Sequence, residues 1–304
     1  MDNETIGVEN SEKKPIIYSI PDFFHYYNLN MNLINLMRKR PEMFRDNVVI
    51  GSVYGAFPGF IWNSGRATMG QATFENIVGT VKAFNDLGIS VRYTCTNALL
   101  QGMHLMDLYC NKILEVTENE LNGVTVNLDI LDRHITKNFP KFYHVWSTTK
   151  GAKSVEETNK LSKDRLTVPY YGMNNTSALD KFEHPEHIEI LVSEACIENC
   201  PLRSKHYEDI SKLQLIEPSE GFMCPNGCEN YLYYETVTKR KHYVSPEMIE
   251  EIYLPRGIHQ FKIGGRNDNA INVIENYANY FARPEQKDNV RNVLLHAHFG
   301  NLTL

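Results

Sequence analysis

Short runs of β-branched and aromatic residues alternate with amphipathic segments from Ile16 almost to the C-terminus. That alternation predicts a parallel sheet with helical crossovers, an α/β fold. The runs that read as strands are 16–20, 48–53, 90–94, 124–128, 142–147, 166–170, 188–192 and 258–263. Eight strands in this order predict a closed (β/α)8 barrel, a TIM-barrel-like single domain over residues 15–304, a fold that uses about 250 residues. The polar, mostly acidic residues 1–14 are expected to form a disordered tail and carry no apolar run of the kind a signal peptide needs.

Helices fall between the strands with recognisable punctuation. In 73–87, Phe74, Ile77, Val81 and Phe84 recur at helical spacing and the segment stops at Gly88. A second helix is expected over 105–118, with Met106, Tyr109, Cys110 and Ile113 on one face. A third is announced by Ser245-Pro246-Glu247, an N-cap followed by proline at the first helical position. The connection before it, 217–244, is long for a plain loop.

A hydrophobic share of 42% is enough for a large core. No stretch approaches the roughly 20 apolar residues that span a bilayer, so no membrane span is expected. The net charge of −6 argues against bulk nucleic-acid binding, and the basic runs 38–40 and 239–242 read as solvated surface. A cytoplasmic location is the expectation, and in a reducing compartment paired cysteines point to a metal before a disulfide.

Four of the six cysteines stand in two C-x3-C pairs, Cys196 with Cys200 and Cys224 with Cys228. Together they supply the four thiolates that a [4Fe–4S] cluster or a tetrahedral zinc ion requires. The cluster is preferred because the first pair follows a strand at the barrel's C-terminal face, where barrels keep their chemistry; structural zinc is the alternative. The cysteine segment is taken as 194–230, an insertion into the barrel. Arg203, Lys205 and His206 follow closely enough to offset the negative charge of a thiolate cluster. Arg203 also occupies the position where a radical-SAM motif would need a third cysteine. Cys95 and Cys110 sit in apolar periodic segments and read as small buried hydrophobes.

Strand ends of a parallel barrel converge on one mouth. Here they carry Asp22, Tyr54, Gly55, Thr94, Asn97, Asn127, 147–150, Asn174, Asn175, Glu194, Lys262, Gly264, Gly265 and Arg266, with Asn63 and Arg66 in the loop after the second strand. Arg66, Lys150, Lys262 and Arg266 would make the pocket positive and suited to a carboxylate or phosphate. Arg66, Lys150, Glu194 and Arg266 are the candidate catalytic and anion-holding residues. No His-Glu-x-x-His or Gly-x-Ser-x-Gly motif is present, and Cys200 with His206 is the one nucleophile–base pairing to consider.

The segments 51–59, 63–66 (Asn-Ser-Gly-Arg), 92–97 (Arg-Tyr-Thr-Cys-Thr-Asn), 147–150 (Ser-Thr-Thr-Lys) and 193–196 (Ser-Glu-Ala-Cys), with Cys-Pro-Leu-Arg-Ser-Lys-His-Tyr from Cys200, resemble the peptidase U32 superfamily over about residues 15–290. The resemblance implies a barrel-like domain beside a four-cysteine [4Fe–4S] cluster, carried over onto Cys196, Cys200, Cys224 and Cys228. Members include collagenase-like peptidases and oxygen-independent hydroxylases, for some of which prephenate is implied as oxygen donor. The usual His-Gly step before a cysteine and Ser-Gly-x-Cys step after it are not intact in this sequence. An oxygen-independent hydroxylase, or related redox enzyme, acting on a small anionic or nucleobase-like substrate is the expected function. The alternatives are a U32-type peptidase and a non-catalytic iron–sulfur or zinc partner subunit.

Overall fold

Seven of the runs form strands: β1 (Ile16–Pro21), β2 (Val48–Gly55), β3 (Ser90–Cys95), β4 (Gly123–Val126), β5 (Tyr143–Trp146), β6 (Glu189–Leu191) and β7 (Gln260–Lys262). The computed structural model describes residues 14–219, 221, 224, 233–265, 269–300 and 303–304. The expected tail therefore lies outside the described residues, apart from Lys14. All seven strands pair in parallel, in the order β5-β4-β3-β2-β1-β7-β6. Among the described residues no helix is long and apolar enough to cross a membrane.

The sixth expected strand, 166–170, is reduced to one residue. Thr167 makes isolated parallel bridges to Trp146 at the end of β5 and to Ile188 beside β6, the two edges of the sheet. Trp146 donates to the Leu166 carbonyl and Val168 to that of Trp146, while Thr167 donates to His187 and Glu189 to Thr167, at 2.8–3.0 Å. Pro169 explains why the pairing stops: it brings no N–H to a ladder and restricts Val168 before it. The prediction of eight full strands is corrected accordingly to a curled sheet of seven and a single-residue link.

The helices start where the sequence signals them. Thr73 accepts from the Asn76 amide to cap the helix Phe74–Asn85, whose Ile77, Val81 and Phe84 are buried, and Gly88 follows it at φ 75°. Phe74 itself is 42% exposed. Ser245 caps the turn Pro246–Met248, which runs on through a π-helical segment to Tyr253. The helix expected from residue 105 begins at Leu108 behind an Asp107 cap; Met106 lies in the preceding 3-10 turn and is 73% exposed, so it does not share the buried face of Cys110 and Ile113.

The outer face of the sheet is aromatic: Tyr18 of β1 packs against Tyr280 and Phe281 of the helix Ala270–Phe281. The inner face is not. Arg92 of β3 reaches Glu189 of β6 through two bonds of 2.6 and 3.0 Å, and its Nη2 also donates to Ser52 of β2 at 2.8 Å and to Ser19 of β1. Ser19 in turn donates to Glu189 at 2.6 Å. β3 and β6 are far apart in strand order, so this contact exists only because the sheet is curled. Both charged groups are 1% exposed. Burial alone would neutralise each; the pairing outweighs it, raising the Arg92 pKa and, with help from Lys262, lowering that of Glu189. This ionic layer forms a floor beneath the strand ends.

Candidate functional site

Above that floor, residues after β2 and β6 carry the mouth, and the helix Arg203–Gln214 covers it. That helix docks through polar contacts. Ser211 meets the Ser64 hydroxyl at 3.1 Å, the Gln214 side chain accepts from Asn63 at 3.0 Å, and Asn97 donates to the Ser211 carbonyl at 3.2 Å. Asn63 also donates to the Arg66 carbonyl at 2.9 Å and accepts from Thr94 at 2.6 Å, which shapes the loop bearing Arg66.

Three cavities meet here. One of about 100 Å³ at the strand ends is lined by Arg66, Glu194, Lys262, Thr125, Gly264 and Tyr207, among others. A second, of about 30 Å³, is lined by Cys196, Cys200, Cys224, Arg203, His206 and Glu194. The third, of about 520 Å³, is bounded by Asn127, Thr149, Lys153, Tyr170, Cys200 and Arg203. Tyr207 is a wall of all three. Gly264 permits the closure at the first: its N–H donates to the Ser193 hydroxyl at 2.9 Å, and a Cβ there would lie 2.7 Å from the Ser193 carbonyl oxygen.

The electrostatics centre on Glu194 and Arg203. Burial would raise the Glu194 pKa, but Arg66, Arg203, the Cys196 amide and His242 reverse this and hold the carboxyl ionised. The Cys196 amide donates to Glu194 Oε1 at 3.0 Å, so the carboxylate also fixes the start of the cysteine loop. Arg203 lies among the rings of Tyr171, Tyr207 and Tyr170, at 4.9, 5.1 and 5.4 Å, and its buried guanidinium interacts with the Tyr171 hydroxyl and the Glu194 carboxylate. Cys200 has its pKa raised by burial and by the nearby Cys196 and Cys224 thiols. His206 is pushed down to about 4 by burial and by Arg66, so it is neutral at physiological pH.

The sequence-predicted residues divide cleanly. Arg66, Glu194, Cys196, Cys200 and Cys224 share the cavities. Lys150 is not brought to them: its ammonium pairs with Asp129 and lies 4.2 Å from the Trp146 ring centroid. Arg266 and Cys228 lie outside the described residues. Asn97, Asn174 and Asn175 are staples: Asn174 ties Leu191 to His242, and Asn175 ties Lys241 to Tyr243. Cys95 and Cys110 are fully buried among hydrophobic side chains, as expected, and burial raises both thiol pKa values. Among the described residues no group of three His, Cys, Asp or Glu side chains is arranged to hold a metal ion. Sequence reasoning missed Tyr207, whose signal was its position four residues after Arg203 on one helix face.

Asp22, at the end of β1 with φ 56°, binds His25 Nδ1 at 3.1 Å, and His25 Nε2 meets the Met69 carbonyl at 3.0 Å, in the loop that follows Arg66. Two acceptors can both be served only by an imidazolium. The Asp22 hydrogen bond, against burial, accordingly raises the His25 pKa. This contribution to stability is complete below the unfolded value of about 6.5 and is lost as pH rises through the higher folded pKa. Asp22→Asn, which keeps the acceptor and tolerates the backbone, should cost on the order of 0.5–1 kcal/mol at pH 6 and little at high pH, read by urea unfolding across pH. Equal loss at both pH values would contradict the assignment.

No protein-family model matches the chain, and no curated protein matches it either. Among solved structures, a U32 peptidase superposes with a TM-score of 0.49 at 14% identity, covering 84% of this chain and 94% of that one. A GH113 β-1,4-mannanase superposes with a TM-score of 0.39 at 11% identity, covering 93% and 98%.

Proposed function

We propose that the chain is a U32-like iron–sulfur protein that holds a [4Fe–4S] cluster on Cys196, Cys200, Cys224 and Cys228. In this reading it performs oxygen-independent hydroxylation, or related redox chemistry, on a small anionic substrate at the strand ends. One observation carries the reading: Cys196, Cys200 and Cys224 line one cavity with the buried guanidinium of Arg203, and that cavity shares walls with the polar mouth. A soft, all-thiolate donor set beside the buried Arg203 cation, with Arg66 lining the same cavity, fits a group of net negative charge. When bound, such a cluster supplies one-electron exchange next to the mouth.

The chain's own residues do the rest. Arg66 and Lys262 face the cavity of about 100 Å³ at the strand ends and hold a carboxylate, as in the oxygen donor prephenate that the resemblance implies. Lys262 takes the role expected of Lys150. Glu194 stays ionised and orients the Cys196 amide. Tyr207 separates the thiols from the mouth while touching both. The barrel itself is read as eight-membered, with Thr167 as its sixth strand.

A cysteine peptidase needs a lowered thiol and a basic imidazole. Here Cys200 is raised and His206 is lowered to about 4, the opposite of both requirements. Anaerobic purification tests the proposal: brown protein with about four irons and four sulfides per chain is expected. Arg66→Ala should abolish turnover or binding of the anion without loss of iron. Colourless protein with one zinc, or peptide digestion unchanged by iron removal, would overturn the reading.

A further inference from the structure

Two polar atoms of the mouth, one on β4 and one just past its end, are buried with no hydrogen-bond partner among the described residues. Thr125 of β4 is 2% exposed and its Oγ1 has no hydrogen-bond partner; Asn127, just past the strand, is 7% exposed and its Oδ1 has none. Residues two apart point to the same side, about 7 Å from one another along the strand. Asn127 Nδ2 donates to the Thr96 carbonyl at 2.9 Å, which commits the amide and leaves its oxygen as an acceptor. Thr125 lines the 100 Å³ cavity with Arg66 and Lys262, whereas Asn127 lines the 520 Å³ cavity with Cys200. Buried polar groups are normally satisfied, so two orphans in register with two adjoining cavities mark the positions of ligand atoms.

We infer that Thr125 and Asn127 read the substrate. The Thr125 hydroxyl donates to the ligand's carboxylate beside Arg66 and Lys262, and Asn127 Oδ1 accepts from a hydroxyl or N–H about 7 Å further on. The ligand class is therefore an elongated carboxylic acid with a hydrogen-bond donor at its far end, lying across both cavities. This rests on the mouth being the substrate site, as proposed above, and is independent of the metal.

The test is calorimetric titration of the anaerobically purified protein with 4-hydroxyphenylacetate and with its methyl ether, 4-methoxyphenylacetate. The phenol should bind about tenfold more tightly, the worth of one neutral hydrogen bond to an otherwise unpaired buried acceptor. Asn127→Leu should erase that preference. Thr125→Val should weaken both compounds by about the same factor, because both share the carboxylate. Wild-type protein that binds the two equally, or binds neither, overturns the inference without recourse to any variant. So does an Asn127→Leu protein that keeps the preference. Iron measured on the same samples separates the two claims: iron-free protein that still prefers the phenol removes the cluster and keeps the reader, while iron-loaded protein without preference does the reverse.

Discussion

Glu189→Gln should destabilise the protein by about 3–5 kcal/mol, the largest effect expected of any single substitution here. Glutamine keeps the shape but leaves Arg92 as a buried cation whose other hydrogen-bond acceptors among the described residues are the neutral Ser19 and Ser52 hydroxyls. Chemical denaturation measures the loss. The double variant Arg92→Met with Glu189→Leu should recover most of it, since a pair replaced by apolar groups carries no stranded charge. The pH dependence follows from the lowered Glu189 pKa: its contribution is complete above the ordinary value of 4.5 and disappears as acid carries the pH down through the folded value. The Gln variant should lack that acid limb. A loss below about 1 kcal/mol would show that water or a relaxed Arg92 replaces the carboxylate.

Serine at Cys196, Cys200, Cys224 or Cys228 should each strip most of the iron, whereas alanine at Cys95 or Cys110 should keep it and cost packing on the order of 1 kcal/mol. The contrast follows from placement. Cys196, Cys200 and Cys224 share one cavity beside Arg203, while Cys95 and Cys110 are enclosed in the hydrophobic core. Metal analysis after anaerobic purification reads the first effect and thermal unfolding the second. Iron lost from the Cys95 variant, or retained in full after substitution of one of the paired cysteines, would show that the ligand set was misassigned.

Much of this architecture was legible because strand runs are short, β-branched and regularly spaced. The one failure among them, 166–170, contained its own warning in Pro169. The site was harder to read, because the polar residues of strand ends look alike in sequence. Asn63, Asn97, Asn174 and Asn175 turned inward to bind backbone, whereas Asn127 left one acceptor bare. Lys150 has a long stem, and Asp129 lies within its reach. The buried pair was foreshadowed by Arg92 within Ser-Val-Arg-Tyr-Thr-Cys and Glu189 within Ile-Glu-Ile, since a charge inside an apolar strand demands a partner.

Thr167 gives the wall of this sheet an uneven strength. β1 and β2 are joined along six residue pairs, whereas the two edges meet through one threonine. Backbone pairing of that kind opens locally long before the whole domain does. The segments on either side of the link, after Trp146 and after Thr167, bring Thr149 and Tyr170 to the larger cavity. The larger cavity is therefore bounded on one side by the stretch of wall with the fewest strand-to-strand hydrogen bonds, and that stretch is tied to the ionic floor through the Glu189 amide, which donates to the Thr167 carbonyl.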